Sequence, residues 1–408
     1  MKTILFAPET INIAETTRMV EIAKLLRDKY DCIFAGYSDE YSGIIKNAGF
    51  EFIPLKPWLT KEKTEHLWRV DRMESFADPF TESELEERVK SEIEAIKNNN
   101  VSAVIMGFTL SFAISARVCK TPLIYFMPFP LTEPFLRNNL ANVPDDFYRG
   151  PVKIIPEKWL TGIINNWFLN TKLWIKPFKR ICFKYGIKPI NRLVELYQGD
   201  FNMITDIPEL TGVPNLPDNW FYVGFIFAKL DEKIPDIIKT IPQDKPLIYC
   251  SMGSSANKDI LKQVIQAFSS IDCYVISPMK KHLDEMKLTI PKNVYVTDWL
   301  PAHIVNPMAK IAVIHGGQGT VQTAVTSGTP FIGIGLQPEQ ESNIELIVKQ
   351  GSARRIRKYE FSAKVLKKEI ESLLDDKIAF EKAKRLSEYV KKYNGNELII
   401  KHITNIIG

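Results

Sequence analysis

The sequence predicts an α/β protein of two domains, each organised around a doubly wound parallel sheet. Three observations lead to this expectation. The chain has 408 residues, which exceeds what one hydrophobic core usually organises and suits two domains of roughly 200 residues each. Short β-branched and aromatic runs alternate with segments of helical apolar spacing in both halves. Such alternation is typical of parallel sheets that helices cover on both faces.

The first half begins with a strand. The opening MKTILFAPET has an apolar run too short for a signal peptide or a membrane span, and the run ends at a proline and a glutamate. A helix is predicted next, over 17–27, from its apolar periodicity. The strands predicted in this half cover residues 3–6, 31–34, 103–106 and 123–126.

The second half repeats this alternation after a proline-rich stretch, 214–242, in which regular periodicity lapses. Strands are predicted over 246–250, 273–277, 294–296, 311–314 and 330–334. The predicted domains are therefore an N-terminal one over 1–215, a linker over 216–245 and a C-terminal one over 246–408. Final helices are predicted over 367–374 and 379–393, and the last is expected to pack back on the N-terminal domain.

Composition indicates an ordinary globular protein, with 45% hydrophobic and 25% charged residues. The five cysteines are odd in number and scattered, and their spacing fits neither a disulfide framework nor a zinc site. A reducing cytoplasm is therefore the expected location. The cysteines are Cys32, Cys119, Cys182, Cys250 and Cys273.

Positive charge is concentrated in one window, 151–188, which holds eight basic residues and one acid within a chain of net charge +5. Three of the seven tryptophans lie there as well: Trp159, Trp167 and Trp174. Lysine interleaved with tryptophan suits an anionic membrane surface, and a peripheral membrane contact is one interpretation. The other is that these aromatics line a core or cleft while the lysines are solvated. No recognised nucleic-acid module is present, so nucleic acid is not an expected partner.

The most informative segment is 311–324, IAVIHGGQGTVQTA, in which a short strand runs through glycines into a helix start. Backbone N–H groups at a helix N-terminus are unpaired and carry partial positive charge, and glycines let them approach an anion closely. His315 adds a donor, or a full charge when protonated. The pattern predicts a phosphate site formed by His315 and the glycine loop that contains Gly317.

Two other strand ends are expected at the same crevice, because ligands of open α/β sheets bind beyond the carboxyl ends of the strands. The loop after Cys250 contains Gly253 and Ser254 and forms a second turn suited to phosphate. Trp299 follows the strand predicted between those two loops in the chain, and a flat aromatic ring there could stack on a base.

The C-terminal half resembles the donor domain of family 1 glycosyltransferases, inverting enzymes of GT-B fold that use nucleotide sugars. Four motifs carry this resemblance in order and spacing: Asp298-Trp299-Leu300-Pro301, His315-Gly316-Gly317-Gln318-Gly319-Thr320, Gly328-Thr329-Pro330 and Glu339-Gln340-Glu341-Ser342-Asn343. The first 200 residues match mainly in layout. The resemblance implies two Rossmann-like domains that face a central cleft.

The resemblance also implies roles for the motif residues. Trp299 would stack on the pyrimidine, and the diphosphate would be held by Ser254, His315, Gly319 and Thr320. Donors placed there would also stabilise the charge that develops as the glycosidic bond breaks. Glu339 and Gln340 would bond hydroxyls of the donor sugar.

On the donor side, two positions depart from the family pattern. Thr323 stands where relatives often have a glutamate that grips the ribose, and Ala302 replaces a common glutamine. Thr323 leaves the nucleotide open, with a UDP-sugar favoured and a dTDP-sugar as the second possibility.

On the acceptor side, the family's base is a histidine after the first strand, oriented by an aspartate after a later strand. Alignment puts Glu15 at the histidine and Gly107 at or near the aspartate, so both members of that pair are missing. Glu15 is the first candidate for a carboxylate base, and Glu9 is the second. Two alternatives stay open: the acceptor arrives already ionised, or Glu15 is simply a charge in the first turn of a helix.

The sequence thus predicts an inverting hexosyltransferase that moves a sugar from a nucleotide diphosphate to an apolar or lipid-like acceptor. Large nonpolar groups over 126–130 and in the tryptophan-rich window are expected to line the acceptor pocket. Neither a metal nor a cofactor is expected, because the helix start and His315 can hold the diphosphate. The alternatives are a nucleotide-sugar epimerase of GT-B fold and a noncatalytic activator or scaffold.

Overall fold

The computed structural model describes residues 1–130, 132–226, 234–253 and 258–408. The chain forms two compact units, called here the first and the second unit. The first unit comprises Met1–Ala141, Lys158–Ala228 and Asn394–Gly408, and the second comprises Asn142–Glu157 and Lys229–Tyr393. Each unit contains one sheet whose strands all pair in parallel.

The sheet of the first unit has seven strands in the spatial order β3-β2-β1-β4-β5-β6-β7. Their bounds are β1 Thr3–Ala7, β2 Asp31–Gly36, β3 Glu51–Pro54, β4 Val101–Met106, β5 Leu123–Met127, β6 Phe201–Ile204 and β7 Trp220–Tyr222. The strand order reverses between the neighbours β1 and β4. Ligands of doubly wound sheets bind where the order reverses, so the loops after β1 and β4 form the natural site of this unit.

Helices cover the first sheet, and their apolar stripes build its core. They are α1 Ile13–Leu26, α2 Ser42–Asn47, α3 Lys61–Asp71, α4 Glu82–Asn98, α5 Phe112–Cys119, α6 Glu133–Arg137, α7 Glu157–Asn170, α8 Ile175–Lys184 and α9 Pro208–Thr211. Helix α1 begins where the Asn12 side chain accepts from the backbone N–H groups of Ala14 and Glu15. This cap fixes Glu15 in the first turn, directly after the β1 loop.

The second unit has six strands in the order β10-β9-β8-β11-β12-β13. Their bounds are β8 Leu247–Ser251, β9 Tyr274–Ser277, β10 Val294–Val296, β11 Ile311–Ile314, β12 Phe331–Gly333 and β13 Ala353–Arg355. Its helices are α10 Lys258–Ala267, α11 Lys280–Glu285, α12 Ala302–Val305, α13 Gln318–Ser327, α14 Pro338–Gln350, α15 Ala363–Leu374 and α16 Lys377–Lys392. Here the order reverses between β8 and β11, the two strands whose loops hold the predicted phosphate site.

The observed boundaries differ from the predicted ones in three places. β7 lies inside the predicted linker 216–245, because it pairs with β6 and completes the first sheet. Asn142–Glu157 lies in the predicted N-terminal domain but groups with the second unit. The helix that returns to the first unit is α17, Gly395–Ile407, while α16, over the predicted last helix, packs on α13.

The placement of α17 follows from its apolar stripe. Ile399, Ile403 and Ile407 recur at four-residue spacing and are buried in the core of the first unit with Met19 and Val20 of α1. The backbone carbonyl of Val223 lies so close to Gly395 that a Cβ there would come within 2.2 Å of it. Close packing of the chain terminus therefore starts at the first residue of α17.

Candidate active site

His315 lies at the carboxyl end of β11 with only 8% of its surface exposed. Its Nδ1 is 3.4 Å from the carbonyl oxygen of Ser251, at the end of β8. A carbonyl only accepts, so this contact places the proton of the neutral ring on Nδ1. Burial lowers the pKa of His315 to about 4, which makes the ring neutral near pH 7.

Two glycines enclose the imidazole. A Cβ on Gly253 would come within 2.5 Å of Nε2, and a Cβ on Gly317 would come within 2.4 Å of the same atom. Gly253 also has φ +77, which other residues rarely adopt. The sequence therefore needs glycine at both positions to seat His315, and the two phosphate turns predicted from the sequence do meet at this ring.

Helix α13 starts next to the ring, with Gly317 at its N-cap position. The Thr320 hydroxyl donates to the Gly317 carbonyl at 2.8 Å, and the Thr323 hydroxyl donates to the Gly319 carbonyl at 2.7 Å. No atom beyond its chain neighbours and its own helix lies within 4 Å of where a Cβ on Gly319 would stand, among the residues the structure describes. The helix start thus has open space for an anion beside Gly319.

Helix α14 carries the two predicted sugar ligands in its first turn. Gln340 is buried; its amide oxygen accepts from the Leu336 N–H at 3.0 Å, and its amide nitrogen donates to the Gln337 side chain at 2.9 Å. Asn343 donates to the Gly316 carbonyl at 3.1 Å and to Glu339 at 3.0 Å. Asn343, whose motif the sequence analysis found without assigning it a role, therefore joins Glu339 to the glycine loop.

Trp299 follows β10 and is 37% exposed. In the chain, β10 lies between the two predicted phosphate loops, but in the sheet it does not. β10 is the edge strand, and β9 lies between β10 and β8. The chain places β8, β9 and β10 side by side in sequence order and then crosses over to add β11 on the other side of β8. Ser254, the remaining predicted phosphate ligand, lies outside the described residues.

In the first unit, Glu15 lies where the loops after β1 and β4 meet. Its Oε1 accepts from the backbone N–H groups of Glu9 at 3.0 Å and Phe108 at 2.7 Å. A Cβ on Gly107 would lie 1.9 Å from that oxygen, so Glu15 fills the space of a side chain at 107. The residue is 2% exposed, and burial raises its pKa to about 8. Glu15 is therefore a largely protonated clamp between two loops near pH 7.

Glu9 lies beside Glu15 in the loop after β1 and bonds to Arg88 of α4, with Oε2 3.4 Å from Nη2. Arg88 is 1% exposed, and its guanidinium lies 3.5 Å from the centroid of the Tyr37 ring and 4.4 Å from that of Phe80. Burial raises the pKa of Glu9, while the charge of Arg88 opposes that rise. The other carboxylate oxygen of Glu9, Oε1, has no hydrogen-bond partner within the described part of the chain.

Glu92, one turn after Arg88 on α4, completes this buried network. It accepts from the Tyr37 hydroxyl at 2.6 Å, from Ser115 at 2.6 Å and from Ser111, which also accepts from Arg88. Burial raises the pKa of Glu92 to about 7. Arg88 and Glu92 were not predicted from the sequence. Their spacing could have indicated them, because both lie among the apolar residues on one face of α4.

The predicted acceptor wall over 126–130 is wrong. Phe126 is 1% exposed and Phe129 is 0% exposed, and Phe129 packs edge-on against Phe135 in the core. These residues are apolar because β5 is a central strand of a sheet covered on both faces. Phe108, whose backbone N–H binds Glu15, is instead 37% exposed and gives the loop after β4 an apolar surface.

We predict that Gly107→Ala destabilises the first unit by about 1 to 3 kcal/mol, because the new methyl group displaces Glu15 from its two backbone donors. Chemical denaturation monitored by circular dichroism measures the change. Gly43→Ala is the matched control, since no atom lies within 4 Å of its Cβ position. Gly107→Ala should lower the free energy of unfolding less in the Glu15→Ala variant than in the wild type. An equal loss in both proteins would contradict the fit of Glu15 against Gly107.

Comparisons with known proteins agree with this geometry. The model of the erythromycin biosynthesis protein CIII-like C-terminal domain matches residues 262–402. A PGL/p-HBAD biosynthesis glycosyltransferase of Mycobacterium tuberculosis is 25% identical over 397 residues, covering 94% of this chain and 88% of that protein.

Two solved structures share the fold over almost all of the chain. The spinosyn forosaminyltransferase SpnP superposes with a TM-score of 0.71 at 14% identity, covering 100% of this chain and 99% of that one. The spinosyn rhamnosyltransferase SpnG complexed with thymidine diphosphate gives 0.70 at 12% identity, covering 98% and 100%.

Two doubly wound units define the GT-B fold, and the named curated relative places the chain among the glycosyltransferases. Within that class, the donor motifs make this chain similar to the family 1 glycosyltransferases.

Proposed function

We propose that the protein transfers a hexose from a nucleotide diphosphate sugar to an apolar acceptor, with inversion at the anomeric carbon. The observation that carries this proposal is the position of the His315 ring, which lies between Gly253 and Gly317 next to the start of α13. That arrangement puts the ring beside the N-terminus of a helix, a combination that suits the two phosphates of the leaving group.

UDP-sugars are the first candidate donors and dTDP-sugars are the second. The Thr323 hydroxyl donates within its own helix, and no acid at this position selects for the ribose 2′-hydroxyl. A deoxyribose is therefore tolerated as well as a ribose. SpnG, one of the solved structures with the same fold, is complexed with thymidine diphosphate, which supports dTDP-sugars as candidates beside UDP-sugars.

Glu9 is the proposed general base. Arg88 fixes one of its oxygens, while Oε1 keeps its lone pairs without a partner among the described residues. Glu15 is the second candidate: its Oε2 also has no partner among the described residues, but its Oε1 binds two backbone N–H groups and its pKa of about 8 leaves it mostly protonated near pH 7. In the proposed step the acceptor oxygen bonds to the anomeric carbon, its proton passes to Glu9, and the bond from that carbon to the phosphate oxygen breaks.

The apolar acceptor is supported by Phe108. Its ring is 37% exposed and contacts Tyr197 edge-on, with centroids 6.2 Å apart, and its backbone N–H binds Glu15. A nonpolar surface on the loop that Glu15 joins to the Glu9 loop suits an aromatic or alkyl alcohol, as expected for a site that binds small apolar molecules.

Product analysis tests this proposal. With an α-linked UDP- or dTDP-hexose of gluco configuration and a panel of phenolic and alkyl alcohols, we expect a β-linked product, recognised by its large anomeric proton coupling in NMR. An α-linked product would overturn inversion. Release of an altered sugar nucleotide without any acceptor would instead indicate an epimerase, and no turnover with any donor would overturn the transferase.

We further propose a cytoplasmic protein that touches an anionic membrane surface through 151–188. Helix α7 carries a stripe of apolar residues at four-residue spacing, with Trp159 70%, Ile163 65% and Trp167 40% exposed. Lysines around α7 and α8 match anionic headgroups. All five cysteines are free thiols, which suits a reducing compartment. No helix among the described residues has the length and apolar character to cross a bilayer.

Reversing three lysine charges tests the membrane contact. We predict that Lys172→Glu/Lys176→Glu/Lys179→Glu weakens sedimentation with phosphatidylserine vesicles by at least about tenfold, because each lysine near the surface contributes about 1 kcal/mol. The matched control reverses Lys364, Lys367 and Lys368 on α15, which lies outside this window. Equal sedimentation of the triple variant and the wild type would remove the membrane contact and leave the transferase untouched.

A further inference from the structure

Residues Asn142–Glu157, called here the strap, follow α6 in the chain yet belong to the second unit. Asp145 is its centre and is 1% exposed. One carboxylate oxygen of Asp145 accepts from Arg355 and Arg357, each at 2.7 Å, and the other accepts from the backbone N–H of Lys358 at 2.9 Å. The strap is therefore fixed to the end of β13 by buried, charge-assisted hydrogen bonds.

The strap also holds the first turn of α14. Glu341 is fully buried, and its Oε2 accepts from the Asn142 amide at 3.3 Å, from the Asp145 N–H at 3.0 Å and from Arg355 at 2.8 Å. The Ser342 hydroxyl donates to the Asn142 side chain at 2.9 Å. Two consecutive residues of α14 are thus bonded to Asn142, and Arg355 bridges the two buried carboxylates.

Further contacts bond the strap to residues that follow β13. Asp146 accepts from Lys358 at 2.6 Å and from the Tyr359 hydroxyl at 2.5 Å. Its last residue, Glu157, accepts from Arg357 at 2.7 Å. With both ends and the middle tied to the same unit, the strap has little freedom to move independently of α14.

Glu341 and Ser342 directly follow Glu339 and Gln340 in the sequence, and Gln340, Glu341 and Ser342 are all buried in α14. The backbone of α14 joins these residues directly, and the Glu341 N–H donates to the Gln337 carbonyl at 3.0 Å, so the first turn moves with Glu341. The orientation of Glu339 and Gln340 therefore depends on what holds Glu341 and Ser342.

We propose that Asn142 and Asp145 are positioning residues for the donor sugar: through Glu341, Ser342 and Arg355 they set the orientation of the α14 turn that carries Glu339 and Gln340. The inference depends on the proposed function, in which that turn meets the sugar hydroxyls. It adds a segment encoded in the N-terminal half of the chain to the machinery that selects the donor. Among the described residues, none of these contacts involves His315, Gly317 or Gly319 of the proposed nucleotide site.

The experiment separates sugar recognition from nucleotide recognition in the full-length protein. Asn142→Ala removes the side chain that bonds both Glu341 and Ser342, and Ser342→Ala removes only one of those bonds. Each is measured for UDP affinity by calorimetry, for KM and kcat with the hexose nucleotide that the wild type turns over, and for its thermal midpoint. Asp272→Asn is the control, since Asp272 is an exposed partner of Lys245 on the same unit.

We expect Asn142→Ala to raise KM for the sugar nucleotide by about fivefold, the equivalent of one or two lost hydrogen bonds, while UDP affinity stays unchanged. Ser342→Ala should give a smaller shift in the same direction, and Asp272→Asn should give none. Equal losses for UDP and the sugar nucleotide, or no loss for either, would overturn the positioning role while leaving the proposed function in place. Absence of UDP binding and of turnover in the wild type would instead overturn the proposed function itself.

Discussion

Glu9→Gln is expected to slow glycosyl transfer by at least about a hundredfold, the usual contribution of a positioned general base. The amide cannot take the proton of the acceptor hydroxyl, although it fills the same space. Donor affinity should stay within about twofold of the wild type, because only the transition state uses the lost proton acceptor. Steady-state kinetics with saturating donor, together with nucleotide calorimetry, measures both quantities.

Glu15→Gln is the matched comparison. A glutamine resembles the protonated glutamate that the raised pKa of Glu15, about 8, predicts near pH 7. Its carbonyl can still accept from Glu9 and Phe108, so we expect a loss of less than about tenfold. A severe loss in Glu15→Gln with full activity in Glu9→Gln would reverse the two roles. Full activity in both would indicate an acceptor that arrives already ionised and needs no base.

The pH profile gives an independent check on Glu9. A base works only when deprotonated, so the rate should increase as pH rises through the pKa of Glu9. Burial raises that pKa above the usual value of 4.5. Glu9→Gln should lose this acidic limb, whereas Glu15→Gln should keep it.

His315→Ala is expected to weaken the binding of UDP or dTDP, whichever the wild type prefers, by about 10- to 100-fold, as for the loss of a hydrogen bond to a charged group. Calorimetric titration with both nucleotides also identifies the donor class. Gly317→Ala is a second route to the same effect, since its methyl group would displace the ring by contact with Nε2. Undiminished binding in both variants would remove His315 from the donor site.

Nucleotide binding should also take up a proton. In the neutral ring the proton lies on Nδ1, facing the Ser251 carbonyl, so Nε2 has none to donate to a phosphate. Binding a diphosphate at Nε2 favours protonation of a ring whose unbound pKa is about 4. Affinity should then fall as pH rises above that value, and the apparent binding enthalpy should depend on the buffer. No dependence on buffer or pH would mean that the ring changes tautomer instead.

The donor site was largely readable from the sequence because its parts are local. A strand, a glycine loop and a helix start occur within 311–324, and their chemistry needs no distant partner to be recognised. The structure adds why the two glycines are there: both leave room for His315. It also shows what spacing could not, that β10 lies at the sheet edge and that Gln340 is bonded to its own loop.

The acceptor side was harder to read because its contacts join distant segments. Glu15 could be placed in a helix start, yet its bonds to Glu9 and Phe108 and its fit against Gly107 depend on β1 and β4 being neighbours. Arg88 and Glu92 looked like ordinary charges of a polar helix. Their burial against Tyr37 and Ser111 is a property of how α4 packs.

The sequence by itself determined the α/β class, most strand positions and the glycine loop between β11 and α13, because periodicity and glycine spacing are imposed by local backbone geometry. Only the tertiary structure decided that Glu9 bonds to Arg88 while Glu15 bonds to two backbone N–H groups, which helix returns to the first unit and that the strap belongs to the second. These properties come from burial and from pairs far apart in the chain, such as Asp145 with Arg355, whose energies depend on neighbours that local sequence does not specify.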